Sequence, residues 1–110
     1  MLEQMDANDL DLLTFGHRVR AARRARDLTL DDLGAAVGKP APYLSLVENG
    51  KREPKLTLVH RLASALGTTT ADLLSPEPPT DRAALEIALE LAQRDPLYAS
   101  LGLPHLRPSA

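Results

Sequence analysis

Basic and amide side chains surround the short segment 41–49, and together they have the chemistry to bind anions. Lys39 precedes the segment, and four more such residues end or follow it: Asn49, Lys51, Arg52 and Lys55. The backbone N–H groups that open the next predicted helix lie beside these cations. Lys and Arg side chains next to a helix N-terminus bind phosphate groups. Thr29, at the start of the preceding helix, is predicted to make another phosphate contact.

Catalytic chemistry finds little support in the sequence. The three histidines, His17, His60 and His105, are scattered, and none has a metal-ligand spacing such as H-E-x-x-H. Ser64 lacks the glycines of a nucleophile elbow, and no glycine-rich phosphate loop is present. The absence of cysteine excludes disulfides, Cys-based zinc sites and thiol nucleophiles. We therefore expect no enzyme activity, no metal and no cofactor.

Residues 29–50 have the pattern of two short helices joined by a glycine-containing turn. Thr29 is a typical N-cap residue, and apolar residues follow it at helical spacing: Leu30, Leu33 and Val37. Gly38 suits the left-handed end of this helix, and Pro40 suits the start of the next. The second helix has its own apolar face: Tyr43, Leu44 and Val47. Such a pair is a helix-turn-helix, whose second helix enters the DNA major groove.

Further helices are predicted on both sides of this pair. A helix beginning near Thr14 and ending near Asp27 has one face formed by Phe15, Val19, Ala22 and Arg26. Its other arginines are expected to form a solvated face, except Arg23. An amphipathic helix ends at Gly67, and a short helical turn follows it. Five helices within about 60 residues predict an all-α domain over 14–74.

The two ends of the chain differ in composition from this domain. Residues 1–13 form an acidic extension, whose leucines either lengthen the first helix or cover a neighbouring surface. Residues 75–81 are a proline-rich linker. The segment 82–110 contains a helix, capped by Asp81, and an irregular docking segment. The apolar positions of that helix are Leu85, Ala88, Leu89 and Ala92, widened by Ile87 and Leu91, and they either pair two copies or cover the core.

Charge is distributed unevenly along the 110 residues. The net charge is −2, but residues 14–74 alone carry ten bases against six acids. Both flanking segments are acidic, so only the middle has the basic balance of a nucleic-acid binder. No apolar run approaches the roughly 20 residues that cross a bilayer, and the acidic N-terminus lacks the basic region of a signal peptide. We expect a cytoplasmic protein with no membrane partner.

Residues Phe15 to Leu74 resemble the lambda-repressor-like, or XRE-type (Cro/C1), helix-turn-helix family. Several spaced features carry the resemblance: F-x-x-R-V-R, the L-T-L start of the second helix, Y-L-S-x-V-E-N-G-K-R-x-P, and the L-A-x-A-L-G ending. The resemblance implies a five-helix domain with an extra C-terminal helix. It also implies double-stranded DNA as the partner, with the third helix in the major groove of a palindromic site bound by a homodimer.

The same resemblance assigns roles to particular residues. Gly34 matches the small residue between the second and third helices, and Arg23 and Glu48 match a structural pair joining the first helix to the third. The base-reading positions are Ala41, Pro42, Ser45 and Leu46. Because only Ser45 among these is polar, we expect contacts with thymine methyl groups and a contribution from DNA shape. The alternative is a protein-interaction module, in which exposed Leu46 contacts a partner protein.

A weaker resemblance covers the second half of the chain. Residues 43–56 and 82–104 are similar to the amino-terminal end of large actinobacterial regulators of the short-chain fatty-acyl metabolism type. Those regulators carry a ligand-sensing part further along the chain. The resemblance, together with the absence of a closing element after residue 106, predicts that the sequence is a piece of a longer regulator.

Overall fold

The computed structural model describes the backbone of residues 7–94 and the side chains of residues 11–94. This part of the chain contains six α-helices and no strand: α1 (Ala7–Ala25), α2 (Leu30–Val37), α3 (Ala41–Glu48), α4 (Leu56–Leu66), α5 (Thr70–Leu73) and α6 (Asp81–Arg94). Helices α1 to α5 enclose one core, and α6 lies against α1. The predicted all-α, five-helix domain with an extra C-terminal helix is confirmed.

Aliphatic side chains form the core, as the scarcity of aromatic residues requires. Val19, Leu33, Leu44 and Leu62, which come from four different helices, have no exposed surface. Phe15 is the one aromatic residue among the buried members of this core. Each fully buried aliphatic side chain of this kind contributes about 1.5–3 kcal/mol through removal from water. The core therefore holds α1, α2, α3 and α4 in fixed relative positions.

Helix α1 begins before the predicted start of the domain. It starts at Ala7, so the boundary predicted between residues 13 and 14 falls inside the helix. Leu13 is 2% exposed and lies against Gly50 at the end of α3. Leu13 precedes Gly16 by three residues and shares the helix face that meets the end of α3, so burial extends the helix towards the N-terminus. Residues 7–13 are consequently part of the first helix and not a separate extension.

The turn between α2 and α3 has the predicted caps. Thr29 Oγ1 accepts a hydrogen bond from Asp32 N, and the Asp32 carboxylate accepts one from Thr29 N, which together form a capping box. Gly38 ends α2 with a φ of 74°, which glycine adopts without strain. A Cβ on Gly34 would overlap the carbonyl oxygen of Lys39, so only glycine permits this close return of the chain.

Helix α6 packs on α1 through Ile87, at the edge of the predicted apolar face, and through Ala83, which was not predicted. Its cap is Thr80, whose Oγ1 accepts from Ala83 N, and not Asp81, which is the first helical residue. Ala83 and Ile87 are buried, whereas Leu85 is 57% exposed. Apolar residues occur around much of this helix, so periodicity alone identified only part of the face that contacts α1. The outer face, at Leu85, Ala88 and Ala92, is exposed.

The linker before α6 is attached to α1. Arg18 Nε donates a hydrogen bond of 2.6 Å to the carbonyl oxygen of Glu77. The predicted docking segment after residue 94 lies outside the described residues, as do the first six residues. Within the described helices, none is both long and apolar enough to cross a membrane.

His17 is enclosed where α6 lies on α1. Its side chain is 11% exposed, and Nδ1 lies 3.7 Å from Glu86 Oε1. Burial lowers the pKa of His17 below its ordinary value of 6.5, and the nearby charges of Arg20 and Arg24 lower it further. Glu86 and Glu48 oppose this shift without reversing it. His17 is therefore held in its neutral form at the α1–α6 contact.

Replacement of His17 should change how stability depends on pH. The unfolded chain takes up a proton near pH 6.5 that the folded chain resists, so folding stability is complete above that pH and declines as pH falls through it. We expect His17→Gln to remove this part of the decline when urea unfolding is compared at pH 7.5 and 5.5. His60→Gln, at an exposed position of α4, is the control, and an unchanged pH profile in His17→Gln would contradict the assignment.

Candidate nucleic-acid interface

The outer side of α3 is the surface that the sequence assigns to base contacts. Pro42 is exposed and Leu46 is 41% exposed, whereas Ala41 and Ser45 are partly buried. On the inner side, Leu44, Val47 and Glu48 are buried. The eight residues of α3 thus divide into an inner set that holds the helix and an outer set that is accessible to a partner.

The backbone after α3 places the next cations at a defined point. Gly50 N donates to Val47 O and Lys51 N donates to Leu46 O, with Gly50 at a φ of 68°. This pair of bonds is the Schellman motif, which fixes the direction of the chain as it leaves a helix. Lys51 and Arg52 follow immediately, and both side chains are exposed. Lys39 and Lys55 are exposed as well.

The N-terminus of α4 is open to an anion. Its N-cap residue is Lys55, no side chain caps its first turn, and no acid lies in that turn. Helix N-termini carry partial positive charge and unpaired N–H groups, which together favour a phosphate. An exposed lysine at the cap adds a full positive charge at the same place. Of the predicted phosphate contacts, Lys55 lies at this helix end, and Lys51 and Arg52 precede it in the connecting loop.

The N-terminus of α2 differs in its electrostatics. Asp31 and Asp32 occupy its first turn, and the capping box already uses the N–H of Thr29. The hydrogen bonds from Thr29 lower the pKa of Asp32, which therefore stays ionised near neutral pH. The hydroxyl hydrogen of Thr29 is the group left for a phosphate, and it lies beside two negative charges. Thr29 is thus the least favourably placed of the predicted phosphate contacts.

A buried carboxylate connects α1 to the end of α3. Glu48 is 2% exposed, and Arg23 donates to both of its oxygens, at 2.7 Å from Nε to Oε2 and 3.0 Å from Nη2 to Oε1. The hydrogen bonds that Arg23 donates to Glu48 raise the pKa of Arg23. Gly16 lies at the same contact, where a Cβ would overlap the carbonyl oxygen of Glu48. The structure therefore brings together the predicted pair in a bidentate geometry.

Arg20 is a second hydrogen-bond donor to Glu48, and the sequence analysis did not predict it. Its Nε lies 3.2 Å from Glu48 Oε1, and its Nη2 donates to Asn49 Oδ1 at 2.9 Å. Asn49 in turn donates from Nδ2 to Ser45 O at 2.8 Å. The spacing in the sequence could have identified this contact, because Arg20 precedes Arg23 by three residues and shares its helix face. Asn49, a predicted phosphate contact, is consequently engaged by α1 and α3.

Arg18 of α1, and Arg26 in the turn that follows α1, are also hydrogen-bonded and not simply solvated. Arg26 Nη1 donates to Leu66 O at 3.4 Å, and Arg18 holds the linker. Tyr43 was predicted on the apolar face of α3, but its ring is only partly buried and lies beneath Lys39 and Arg52.

In the part of the chain that the structure describes, no group of three or more acidic or histidine side chains is arranged to hold a metal ion.

Comparison with known proteins agrees with this geometry. The α2–turn–α3 pair, with its exposed outer face, defines the class as helix-turn-helix. A family model described as "Helix-turn-helix domain" matches residues 14–75, more than half of the chain. The chain belongs to the XRE-type helix-turn-helix family.

Similar proteins include named regulators and solved structures. The chain is 42% identical over 57 residues to the HTH-type transcriptional regulator DdrOP3 of Deinococcus deserti; this match covers 52% of the chain and 44% of that protein. It is 30% identical to the control protein C.MunI of a Mycoplasma species, over 62% of the chain and 92% of that protein. The chain thus spans less than half the length of DdrOP3 but nearly all of C.MunI.

Two solved structures have the same fold. The restriction-modification controller protein C.AhdI of Aeromonas hydrophila is 35% identical, with a TM-score of 0.56 over 57% of this chain and 96% of that one. The clp gene regulator ClgR of Corynebacterium glutamicum is 32% identical, with a TM-score of 0.57 over 81% of this chain and 87% of that one.

Removal of the Glu48 charge should destabilise the fold. Glu48→Gln leaves Arg20 and Arg23 without their shared carboxylate, and loss of one partner of a buried ion pair costs about 3 kcal/mol. The free energy of urea unfolding measures this loss. Glu53→Gln, at an exposed position, is the matched control and should change stability by less than about 0.5 kcal/mol. Equal stabilities of the two variants would show that the buried network contributes nothing.

Proposed function

We propose that the chain is a sequence-specific, double-stranded DNA-binding transcriptional regulator with α3 in the major groove. The observation that carries the proposal is the exposed outer face of α3, which has exposed cations before and after it and is followed by the open N-terminus of α4. An α-helix of this kind fits the major groove, while the flanking cations contact the phosphate backbone. Relatives named as transcriptional regulators support the same conclusion.

Base contacts are assigned to Ala41, Pro42, Ser45 and Leu46. The apolar members contact thymine methyl groups, and Ser45 supplies one hydroxyl to a base or a phosphate. Ala41 and Ser45 are partly buried, so they can reach only bases that lie close to α3 itself. With so few hydrogen-bonding groups, the shape and stiffness of the operator contribute a large share of the specificity.

Phosphate contacts are assigned to the exposed cations that flank α3. Lys51, Arg52 and Lys55 bind one backbone near the N-terminus of α4, with Asn49 beside them, and Lys39 binds from the turn before α3. Thr29 contributes a hydroxyl. These contacts position α3 without reading the sequence, and they make affinity depend strongly on salt concentration.

The regulator is proposed to act as a homodimer on a palindromic site. Two recognition helices related by a two-fold axis contact half-sites about 34 Å apart, one turn of B-DNA. The exposed apolar face of α6, at Leu85, Ala88 and Ala92, is the proposed pairing surface. The proposed location is the cytoplasm, where the DNA target is accessible.

A second candidate function is contact with a partner protein through the outer face of α3. The 41% exposure of Leu46 favours it, since a large apolar side chain on a surface helix suits a protein interface. The excess of bases in residues 14–74 favours DNA. A salt titration separates the two, because DNA affinity falls linearly with salt on a double logarithmic scale.

Substitution of the phosphate-contacting cations should weaken binding to every duplex alike. We expect Lys51→Ala or Arg52→Ala each to lower duplex affinity several-fold and to reduce the magnitude of the salt slope by about 1. Arg61→Ala, which removes an exposed charge from the body of α4, is the control and should leave both unchanged. Fluorescence anisotropy across a salt series measures both quantities, and a wild-type chain without salt-dependent binding would refute the assignment.

Substitution on the outer face of α3 should instead alter the preferred sequence. Leu46→Gln exchanges an apolar contact for a side chain that forms paired hydrogen bonds with adenine, a difference of about 1–3 kcal/mol at one base pair. Selection of bound sites from a random duplex pool should give palindromic sites, with wild type and Leu46→Gln differing at the same position of each half-site. Identical selected sites would contradict the role of Leu46, and sites without two-fold symmetry would contradict the homodimer.

A further inference from the structure

Two cations from opposite ends of α3 lie over one aromatic ring. Lys39 belongs to the turn before the helix and Arg52 to the loop after it, and Tyr43 is on the first turn of the helix itself. The Lys39 Nζ lies 5.0 Å from the centre of the Tyr43 ring, and the Arg52 Cζ lies 5.2 Å from it. Both distances are within the range of a cation–π interaction. The ring therefore connects the two segments that flank the helix.

This cluster carries two positive charges on exposed side chains. Neither Lys39 nor Arg52 has a carboxylate partner among the described residues. Because Nζ and Cζ are 5.0 and 5.2 Å from one centroid, the two charges are no more than about 10 Å apart. Like charges at such distances repel each other, and an anion that approaches both relieves the repulsion. The cluster is thus arranged for a negatively charged ligand from outside the chain.

The ring provides a rigid support for two flexible side chains. Tyr43 packs against the core while remaining partly exposed, and its neighbours on α3, Leu44 and Val47, are buried. A tyrosine has two side-chain torsions, whereas lysine and arginine have at least four. Because the ring holds these two cations, their side chains lose less conformational freedom when a ligand binds.

We propose that Tyr43 is a positioning residue, which holds Lys39 and Arg52 for neighbouring phosphates of one DNA strand. Phosphates advance about 3.4 Å along the helix axis per nucleotide of a strand, so two cations within about 10 Å reach neighbouring phosphates. The inference rests on the proposed function and adds a role that the aromatic face performs without touching DNA. The phenolic hydroxyl has no part in it.

Two substitutions at residue 43 separate the ring from the hydroxyl. Tyr43→Phe keeps the aromatic face, and we expect duplex affinity within about 2-fold of wild type. Tyr43→Leu removes the face, and we expect an affinity about 3- to 10-fold lower, corresponding to one or two exposed cation–π contacts. The loss should be equal for selected and unrelated duplexes, because phosphate contacts carry no sequence information. Thermal unfolding of each variant identifies conditions in which all are folded.

A double-mutant cycle tests whether the ring acts through the cations. In a Lys39→Met, Arg52→Met background, Tyr43→Leu should cause no further loss of duplex affinity, as expected for groups that act together. A loss that persists there, or a Tyr43→Phe as weak as Tyr43→Leu, would overturn the positioning role while leaving the proposed function intact. If the wild-type chain shows no salt-dependent duplex binding, the proposed function and this inference fail together.

Discussion

The position of α3 depends on one buried carboxylate. Glu48 is the last residue of the helix, and Arg20 and Arg23 of α1 hold it from the other side of the contact. Removal of either side of this contact would leave the other charge buried without a partner, which is very unfavourable. Gly16 makes the arrangement possible, since any side chain there would meet the carbonyl oxygen of Glu48. The outer face of α3 derives its fixed orientation from this contact.

The electrostatics of the helix ends distinguishes the anion-accepting side of the domain. Helix α2 begins with two aspartates and a closed capping box, whereas α4 begins with a lysine and no cap. A capped end satisfies its own N–H groups, but an uncapped end leaves them for a ligand. The bases after α3 are therefore next to the one of these two helix ends that can share in binding a phosphate.

Local signals predicted much of the fold, because they depend on residues close together in sequence. Thr29 and Gly38 identify the ends of α2 through capping and backbone preferences that need no tertiary contact. The Glu48 pair with Arg23 came from a family resemblance. Arg20 was missed although its position on the helix face of Arg23 indicated it. The Tyr43 cluster was not predicted, since it requires knowledge of how distant segments meet. The inward face of α6 was predicted at Ile87 but not at Ala83, because a helix with apolar residues around most of its circumference has no unique hydrophobic side.

The division of α3 into two faces has a consequence for how such a domain can change over evolutionary time. Pro42 and Leu46 point away from the core, while Leu44, Val47 and Glu48 maintain it. Substitutions that share no partners have nearly additive effects on stability. New outward residues can therefore accumulate by mutation at little thermodynamic cost, and duplicated copies can diverge in target while the scaffold beneath them stays the same.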